Sequence, residues 1–354
     1  MIFPLSLNPG PLYKWGAVVM ALVLGGCSSM PVYDSPQFEE ETMTFQNPNG
    51  VRNDKSFGDL MGLAYNYMTR ADDPYEKSGF PLITSTRAEL ATLAEEVLWV
   101  GHSTVIVSHG GQTIMTDPVF ADRASPFSFA GPKRVTPVPF KLADLPPIDV
   151  VVISHSHYDH LDKAAVQELS RRQPELVFVV PLGLKAVLND WGVSNVRELD
   201  WWQNTEVDGM RLTATPVQHW SSRSMSDRNE TLWAGWMAEW QDFKFYFAGD
   251  TGYSRDFVET RARLGAPDLA AIPIGAYDPR DFMRASHVNP EEAVQILKDV
   301  GATKAVPIHW GTYKLTLEPM NEPPQRLRRA LEEARLEGQD FIILKHGERV
   351  SIQD

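Results

Sequence analysis

The fold and the chemistry of this chain are decided by one stretch, Ser154-His155-Ser156-His157-Tyr158-Asp159-His160-Leu161-Asp162, which follows directly after an apolar run at residues 148–153. The apolar run predicts a buried strand. Side chains alternate along an extended segment, so His155, His157 and Asp159 point to one side, and the following turn brings His160 beside them. Three imidazoles and one carboxylate within six positions at a strand end predict a metal site rather than accidental clustering.

Apolar runs and helical segments alternate on both sides of this stretch. Runs bounded by Gly, Pro, Asp or Asn predict strands at residues 97–107, 113–115, 150–153, 176–180, 211–217, 232–237, 243–248, 269–274, 305–308 and 341–344. Apolar periodicity predicts helices at residues 163–172, 183–189, 290–300 and 324–337. Asp162 and Asn289 are favourable N-caps for two of these helices. Because helices and strands are interspersed, the fold class is predicted to be α/β.

Further metal-binding side chains stand at the ends of later predicted strands. His219 follows the run at residues 211–217, Asp250 follows the run at residues 243–248, and His309 follows the run at residues 305–308. Strand ends are where an α/β sheet delivers functional side chains. With the four donors of the first stretch, these residues supply five imidazoles and two carboxylates. Two zinc ions need about four ligands each, and such donors also suit iron or manganese.

The N-terminal residues predict export and attachment to a membrane. An apolar run at residues 16–26 is too short to cross a bilayer, which takes about 20 residues, but is long enough for a signal peptide at residues 1–26. Leu24-Gly25-Gly26-Cys27 resembles a bacterial lipobox, which implies a lipid-modified Cys27. The alternative is a cleaved signal beside an unmodified cysteine. The lipobox and Ser28 together predict a location in the bacterial cell envelope, at the outer membrane facing the periplasm.

Two segments connect this signal to the predicted strands. Residues 27–55 are polar and contain Pro and Asn, which predicts a tether, with an arm wrapped on the domain as the alternative. Apolar residues then recur at helical spacing from Phe57 to Met68, and we expect this apolar face to pack on the domain. Contact with lipid is the alternative, although the polar face lacks the Lys and Arg typical of that role. Residues 56–354 are expected to form the hydrolase domain.

Composition excludes several classes of function. Of 354 residues, 43% are hydrophobic and 22% are charged, which is ordinary for a globular protein. The formal net charge of −13 argues against nucleic acid as a partner. Cys27 is the only cysteine, so the chain has no internal disulfide and the mature domain has no thiolate nucleophile or metal ligand.

The pattern His-x-His-x-Asp-His with later His219, Asp250 and His309 resembles the metallo-β-lactamase superfamily. That resemblance implies a four-layer αβ/βα sandwich with a dinuclear site between the sheets. Between about residues 97 and 348 the chain is also similar to the family of N-acylphosphatidylethanolamine-hydrolysing phospholipases D. The motifs that carry this similarity are Trp99-Val100-Gly101-His102-Ser103-Thr104, Thr116-Asp117-Pro118-Val119-Phe120, Gly131-Pro132-Lys133-Arg134, Leu199-Asp200-Trp201-Trp202, Ala248-Gly249-Asp250-Thr251-Gly252-Tyr253, Ile272-Pro273-Ile274-Gly275-Ala276-Tyr277 and Ile308-His309-Trp310-Gly311-Thr312.

The resemblance implies a role for each site residue. It implies one zinc bound by His155, His157 and His219, a second zinc bound by Asp159, His160 and His309, and a bridging Asp250. Tyr158 and His287 would contact the substrate headgroup and leaving group, although Tyr158 could instead pack the loop. His287 would assist departure of the alcohol as a catalytic residue. Asp159 could accept a proton, but a metal-bound carboxylate is a weak base.

The remaining histidines carry no such implication. His102 is expected to hydrogen-bond neighbouring loops rather than to bind a metal. His109 and His346 are expected in loops or at the surface.

The implied activity is hydrolysis of a phospholipid at a membrane, by a zinc-dependent phosphodiesterase that releases phosphatidate and an N-acylethanolamine. A pair of metal ions lowers the pKa of a shared water and clamps phosphoryl oxygens, so no side-chain nucleophile is needed. Because this fold serves several chemistries, a lactonase or β-lactamase-type hydrolase is the nearest alternative. A lipid-binding lipoprotein with structural metals is an alternative of another class, and it predicts a site closed by protein ligands.

Overall fold

The structure is a computed structural model that describes residues 31–48, 50–52, 57–336 and 341–353. The predicted signal peptide at residues 1–26 and the predicted lipidation site Cys27 lie outside these residues. Val32–Asp354 form one compact unit. Within the described ranges, no helix has the length and apolar character needed to cross a membrane.

Strands and helices alternate along most of the chain. The strands are β1 (Phe38–Glu39), β2 (Thr44–Phe45), β3 (Glu96–Gly101), β4 (Thr104–His109), β5 (Gln112–Thr116), β6 (Val150–Val152), β7 (Val177–Pro181), β8 (Val196–Leu199), β9 (Asn204–Val207), β10 (Met210–Thr215), β11 (Gly235–Glu239), β12 (Lys244–Phe247), β13 (Leu269–Pro273), β14 (Lys304–Ile308) and β15 (Arg349–Ser351). The helices are α1 (Phe57–Thr69), α2 (Tyr75–Ser78), α3 (Arg87–Leu90), α4 (Lys163–Arg172), α5 (Leu184–Asp190), α6 (Asp256–Leu264), α7 (Arg280–Met283), α8 (Pro290–Val300) and α9 (Glu322–Ala334), with one 3₁₀ turn at Leu142–Asp144.

Two large mixed sheets form the centre of the domain. The seven-stranded sheet has the order β15-β3-β4-β5-β6-β7-β8, and the six-stranded sheet has the order β14-β13-β12-β11-β10-β9. Strands β5 to β8 pair in parallel, as do β12 to β14, while the other pairs of these two sheets are antiparallel. The loop that carries four of the predicted ligands, residues 154–162, leaves β6, which has a parallel neighbour on each side.

The layers are visible in the alternation of side chains along β6. Val150 and Val152 belong to the core cluster that also contains residues of the six-stranded sheet, whereas Val151 belongs to a cluster with residues of α4 and α5. A strand buried on both faces explains the unbroken apolar run. On the six-stranded sheet, α8 packs against β13. The order helix, sheet, sheet, helix confirms the predicted four-layer α/β fold.

The structure corrects several predicted boundaries. The run at residues 97–107 is two strands, because Gly101 and His102 turn the chain with φ values of 138° and 52°. Residues 341–344 form no strand beyond one bridge between Phe341 and Ala305. Nine elements have no counterpart among the predictions: strands β1, β2, β8, β9 and β15 and helices α2, α3, α6 and α7.

Helix α1 forms as predicted, but three of its apolar side chains face solvent. Met61, Tyr65 and Met68 are 54%, 64% and 76% exposed. On another side of the helix, the hydroxyl of Tyr67 donates to the carbonyl of Lys314 at 3.0 Å. The expectation that the apolar face packs on the domain is therefore wrong for these three residues.

The described part of the predicted tether at residues 27–55 is instead an arm on the domain. The rings of Tyr33, Phe38 and Phe45 contact one another with centroids 5.0–5.4 Å apart. Phe45 is fully buried, and its N–H donates to the carbonyl of Asn229 at 2.8 Å. Burial of Phe38 and Phe45, with the half-buried Tyr33 packed against them, offsets the entropy lost when the segment is ordered.

Candidate metal centre

The strand-end loop after β6 delivers four of the seven predicted ligands into a buried site. His155 and His160 are 1% and 0% exposed. The loop ends where Asp162 caps α4, its carboxylate accepting from the N–H groups of Ala164 and Ala165 at 2.9 and 3.3 Å. This cap fixes the point at which the chain turns into the helix.

The first predicted ligand group is brought together as expected. Candidate ligand atoms of His155, His157 and His219 lie within 4.8 Å of one another. Nδ1 of His157 is 2.8 Å from Nε2 of His155 and 3.4 Å from Nε2 of His219.

The second predicted group also converges, and His102 joins it. Oδ2 of Asp159 is 3.5 Å from Nε2 of His160 and 3.4 Å from Nε2 of His309. It is also 2.9 Å from Nε2 of His102. The expected hydrogen bonds of His102 to neighbouring loops are present. Its N–H donates to the hydroxyl of Thr312, and its carbonyl accepts from the N–H of His309. Its imidazole additionally faces the ligand group.

Asp250 lies between the two groups. Its Oδ2 is 3.1 Å from Nε2 of His160, 3.0 Å from Nε2 of His309 and 3.9 Å from Nε2 of His219. A carboxylate in this place can reach ions held by either group, as its predicted bridging role requires.

The donor set fits metal ions. Among the described residues, several buried atoms of the predicted ligands have no hydrogen-bond partner: Nε2 of His157, His160 and His309, and Oδ1 of Asp250. Buried polar atoms are rarely left unpaired in folded proteins. Imidazole nitrogen and carboxylate oxygen that converge without partners are the donors expected for zinc and related cations. The assignment of each residue as a ligand remains a prediction.

The first group is held in the form that binds metals. Burial, followed by the charge of His160, lowers the pKa of His155 well below 6.5. Burial lowers the pKa of His157 to about 4 and that of His219 to about 3. These imidazoles are neutral at pH 7, and the neutral ring is the metal ligand.

The second group is a set of paired charges. Burial acts to lower the pKa of His309, but the carboxylates of Asp250 and Asp159 outweigh it and raise that pKa to about 9. Burial acts to raise the pKa of Asp250, but the charges of His160 and His309 hold it well below 3.8. The carboxylates are therefore ionised at pH 7, ready to bind cations in place of protons.

Asp117 supports the site and is absent from the predicted ligands. It is fully buried at the end of β5, and its Oδ2 accepts from Nδ1 of His160 at 2.6 Å. The same carboxylate accepts from the N–H and the hydroxyl of Ser154 at 2.6 and 2.5 Å. The sequence feature that could have indicated this role is the motif Thr116-Asp117-Pro118, which places an acidic residue at a strand end.

Arg223 is a second supporting residue that the sequence did not indicate. Its guanidinium donates to the carbonyls of Ser156 and Leu161 at 2.7 and 2.8 Å. It also lies 4.0 Å from the ring centroid of Tyr158. Arg223 thus holds the loop of predicted ligands at residues 154–162, although it lies 62 residues from Leu161 in the chain.

Tyr158 and His287 lie in different surroundings. The hydroxyl of Tyr158 donates to the carbonyl of Arg223 at 3.0 Å, which matches the alternative that this ring packs the loop. His287 is 8% exposed, and its Nδ1 is 3.8 Å from Oδ2 of Asp250. It therefore lies beside the cluster of predicted ligands.

The two remaining histidines differ from each other. His346 lies outside the named helices and strands, as one of its two expected locations requires, but it is fully buried rather than at the surface, and its Nε2 is 3.0 Å from the hydroxyl of Thr312. His109 ends β4 and contacts Glu95 and Asp242.

Comparison with known proteins places this geometry in a family. Residues 112–310 match the model of the β-lactamase superfamily domain. The chain is 44% identical over 262 residues to N-acyl-phosphatidylethanolamine-hydrolyzing phospholipase D 1 of Caenorhabditis elegans, covering 71% of this chain and 74% of that protein. It is 35% identical over 278 residues to the mitochondrial N-acyl-phosphatidylethanolamine-hydrolyzing phospholipase D of Saccharomyces cerevisiae, covering 73% of this chain and 59% of that protein.

A solved structure agrees on the fold. The metallo hydrolase Igni18 of the archaeon Ignicoccus hospitalis superposes with a TM-score of 0.54 at 23% identity, covering 72% of this chain and 97% of that one. At this identity the likeness supports the fold alone.

Proposed function

The chain belongs to the metallo-β-lactamase superfamily and is a metal-dependent hydrolase, and on that premise we propose that it is a phosphodiesterase of the phospholipase D type. The proposed substrates are N-acylphosphatidylethanolamine-like phospholipids, and the products are phosphatidate and an N-acylethanolamine. The observation that carries the proposal is the 44% identity to an N-acyl-phosphatidylethanolamine-hydrolyzing phospholipase D over 262 residues.

The convergent donors support hydrolysis assisted by two cations, for which we propose zinc, with iron or manganese as alternatives. A pair of divalent cations supplies positive charge to phosphoryl oxygens and acidifies water at neutral pH. In this chain, His155, His157 and His219 would hold one cation, and Asp159, His160 and His309 the other, with Asp250 between them. This set needs no nucleophilic side chain.

His287 is the residue proposed to assist the leaving group. Burial lowers its pKa to about 3, although Asp250 acts to raise it. A neutral imidazole keeps one N–H, which can donate a hydrogen bond to the departing alcohol oxygen. The carboxylate of Asp159 is 2.9 Å from Nε2 of His102, so one of its oxygens already has a partner and is less able to accept a proton from water. We therefore assign Asp159 a ligand role in preference to proton transfer.

We also propose that the protein works on a membrane, tethered through a lipidated Cys27 at the outer membrane facing the periplasm. A cleft of about 570 Å³ supports contact with a bilayer, since its lining includes Tyr67 of α1 and more cationic than acidic side chains: Lys77, Arg123, Lys133, Arg134 and Lys314 against Glu76. Two of the segments that line it also carry exposed apolar residues: Met61, Tyr65 and Met68 on α1, and Phe127 and Phe129 on the loop that Arg123 holds through the carbonyls of Ser128 and Gly131. In a chain with a net charge of −13, a cleft lined mainly by cationic side chains, on segments that also expose apolar residues, fits an anionic phospholipid surface.

The test is headgroup release from N-acylated phosphatidylethanolamine by the purified, metal-loaded chain and by its His155→Ala variant. Loss of one ligand should remove about one metal equivalent and lower the rate roughly 1,000-fold, because a cation contributes several kcal/mol to stabilising the transition state. His109→Gln, outside the ligand groups, is the matched control and should keep both the metal and the activity at about pH 8.5, where the charge of His109 adds little stability.

Each other outcome excludes one reading. Full activity and a full metal complement in His155→Ala would exclude the proposed site. Turnover of lactones or β-lactams without turnover of phospholipids would favour the rival hydrolase. Bound metal with no hydrolysis of any of these substrates would favour a lipid-binding lipoprotein.

A further inference from the structure

The side chain of Asn47 holds the main chain of a predicted metal ligand. Its Oδ1 accepts from the N–H of His219 at 3.0 Å, and its Nδ2 donates to the carbonyl of His219 at 3.0 Å. The two residues are 172 positions apart in the chain. Asn47 is 9% exposed and His219 is fully buried, so these bonds are shielded from competing water.

The arm that carries Asn47 is itself fixed to the domain. Phe45 is fully buried in the core cluster that contains the six-stranded sheet. The N–H of Phe45 donates to Asn229, whose own N–H donates to Ser221, two residues after His219. Nδ2 of Asn47 also donates to the carbonyl of Val51 at 3.1 Å, which orients the amide. Asn47 therefore approaches His219 from a rigid support.

His219 depends on such support more than the other residues of its group. His155 and His157 leave β6 on one short loop, whereas His219 lies beyond the end of β10, four residues after Thr215. Its Nδ1 donates to the carbonyl of Ser286 at 2.9 Å, which orients the ring, and the amide of Asn47 fixes the backbone from which the ring projects. Together these contacts set the place of Nε2.

We propose that Asn47 is a positioning residue for the metal centre, so that the N-terminal arm is part of the active unit. The arm lies outside residues 112–310, which match the superfamily model. The effect on metal binding is independent of the substrate, and only the expected effect on turnover rests on the proposed function. Loss of supporting contacts around a metal ligand typically weakens metal binding by about 10- to 100-fold.

The test measures zinc release from the full-length, zinc-loaded chain to a chromogenic chelator. Asn47→Ala should release one of two zinc equivalents about 10-fold faster or more, with the thermal unfolding midpoint close to that of the parent. Asn47→Asp keeps an acceptor for the N–H of His219 and loses the donor, so its release rate should be intermediate. Phospholipid hydrolysis by Asn47→Ala should recover at saturating zinc.

Two variants of the same arm serve as controls. The side chain of Gln46 bonds Glu39 and Thr44 within the arm, so Gln46→Ala should release zinc like the parent. Phe45→Ala removes a buried anchor and reports the effect of loosening the arm in general. If Asn47 has a purely structural role, Asn47→Ala and Phe45→Ala should both release both zinc equivalents faster, in proportion to the decrease in their thermal unfolding midpoints.

That structural pattern would overturn the proposal, and so would parental zinc release from Asn47→Ala. If Asn47→Ala fails to fold, the comparison of Asn47→Asp with Gln46→Ala decides in the same way. Failure of the phospholipid assay with every variant, together with selective zinc loss, would reject the substrate while leaving the role of Asn47 intact.

Discussion

Asp117 shows how a residue outside the seven predicted ligands can shape the candidate metal site. Its carboxylate accepts from Nδ1 of His160, which orients Nε2 of that ring towards Asp159 and Asp250. It also accepts hydrogen bonds from the N–H and the hydroxyl of Ser154, the first residue of the loop of predicted ligands at residues 154–162. One buried carboxylate thus fixes both the ring and the start of the loop.

We predict that Asp117→Asn weakens binding at the group of Asp159, His160 and His309 by about 10- to 100-fold. The amide of Asn has the same size as the carboxylate, but its NH₂ group cannot accept the hydrogen bonds that Ser154 and His160 donate to Asp117 in the parent protein. The zinc content should be measured after dialysis against graded concentrations of free zinc. Asp144→Asn, on the surface beside Arg87, is the control. Equal zinc retention by both variants would contradict this role for Asp117.

The sequence identifies the seven predicted ligands better than it identifies the residues that support them. The ligands follow strands, and their spacing is local or recurs at strand ends. Asn47, Asp117 and Arg223 act through contacts with segments 172, 43 and 62 residues away, and no local pattern encodes such contacts. Three-dimensional packing is what gives them their roles.

At the scale of elements, the strands that the sequence predicts are those with buried faces. Strand β6 is buried at every position and appears as an apolar run. Strands β9 and β15 are exposed or half-buried at most positions, and both lie at a sheet edge. Their polar sequences carry no apolar run, because one side of an edge strand faces solvent. Helix α8 was predicted correctly, because Asn289 and Glu292 form a capping box before an apolar stripe.

The exposed apolar side chains of helix α1 should contribute to membrane binding. We expect Met61→Ser, Tyr65→Ser and Met68→Ser, combined in one variant, to lower binding to anionic phospholipid vesicles by roughly tenfold or more, because exposed apolar area drives insertion at the interface. A Cys27→Ser background removes the predicted lipid, and vesicle flotation measures the bound fraction. Val258→Ser, a 48% exposed residue on α6, is the control. Binding unchanged by the triple substitution would exclude α1 from the contact.

At the scale of the whole molecule, two sheets must stay in register for the ligand groups to meet. His155, His157, Asp159 and His160 follow a strand of the seven-stranded sheet, whereas His219, Asp250 and His309 follow strands of the six-stranded sheet. His109 links the sheets at the other end of β4 from His102. Its Nδ1 is 2.5 Å from Glu95, next to β3, and its Nε2 is 2.9 Å from Asp242, between β11 and β12.

The stability that His109 contributes through this link should decrease as the pH rises. Burial acts to lower the pKa of His109, but Asp242 and Glu95 outweigh it and raise the pKa above 6.5. A histidine with a raised folded pKa adds stability below its unfolded pKa and loses that contribution as the pH rises through the folded value. His109→Gln should therefore lower the unfolding midpoint in urea, relative to the parent, at about pH 5.5 and have little effect at about pH 8.5. Comparing the two proteins at each pH, with the same zinc concentration, cancels the shared effect of pH on the ligand histidines. A loss of equal size at both pH values would mean that His109 acts through packing against Trp240 and Phe243 rather than through charge.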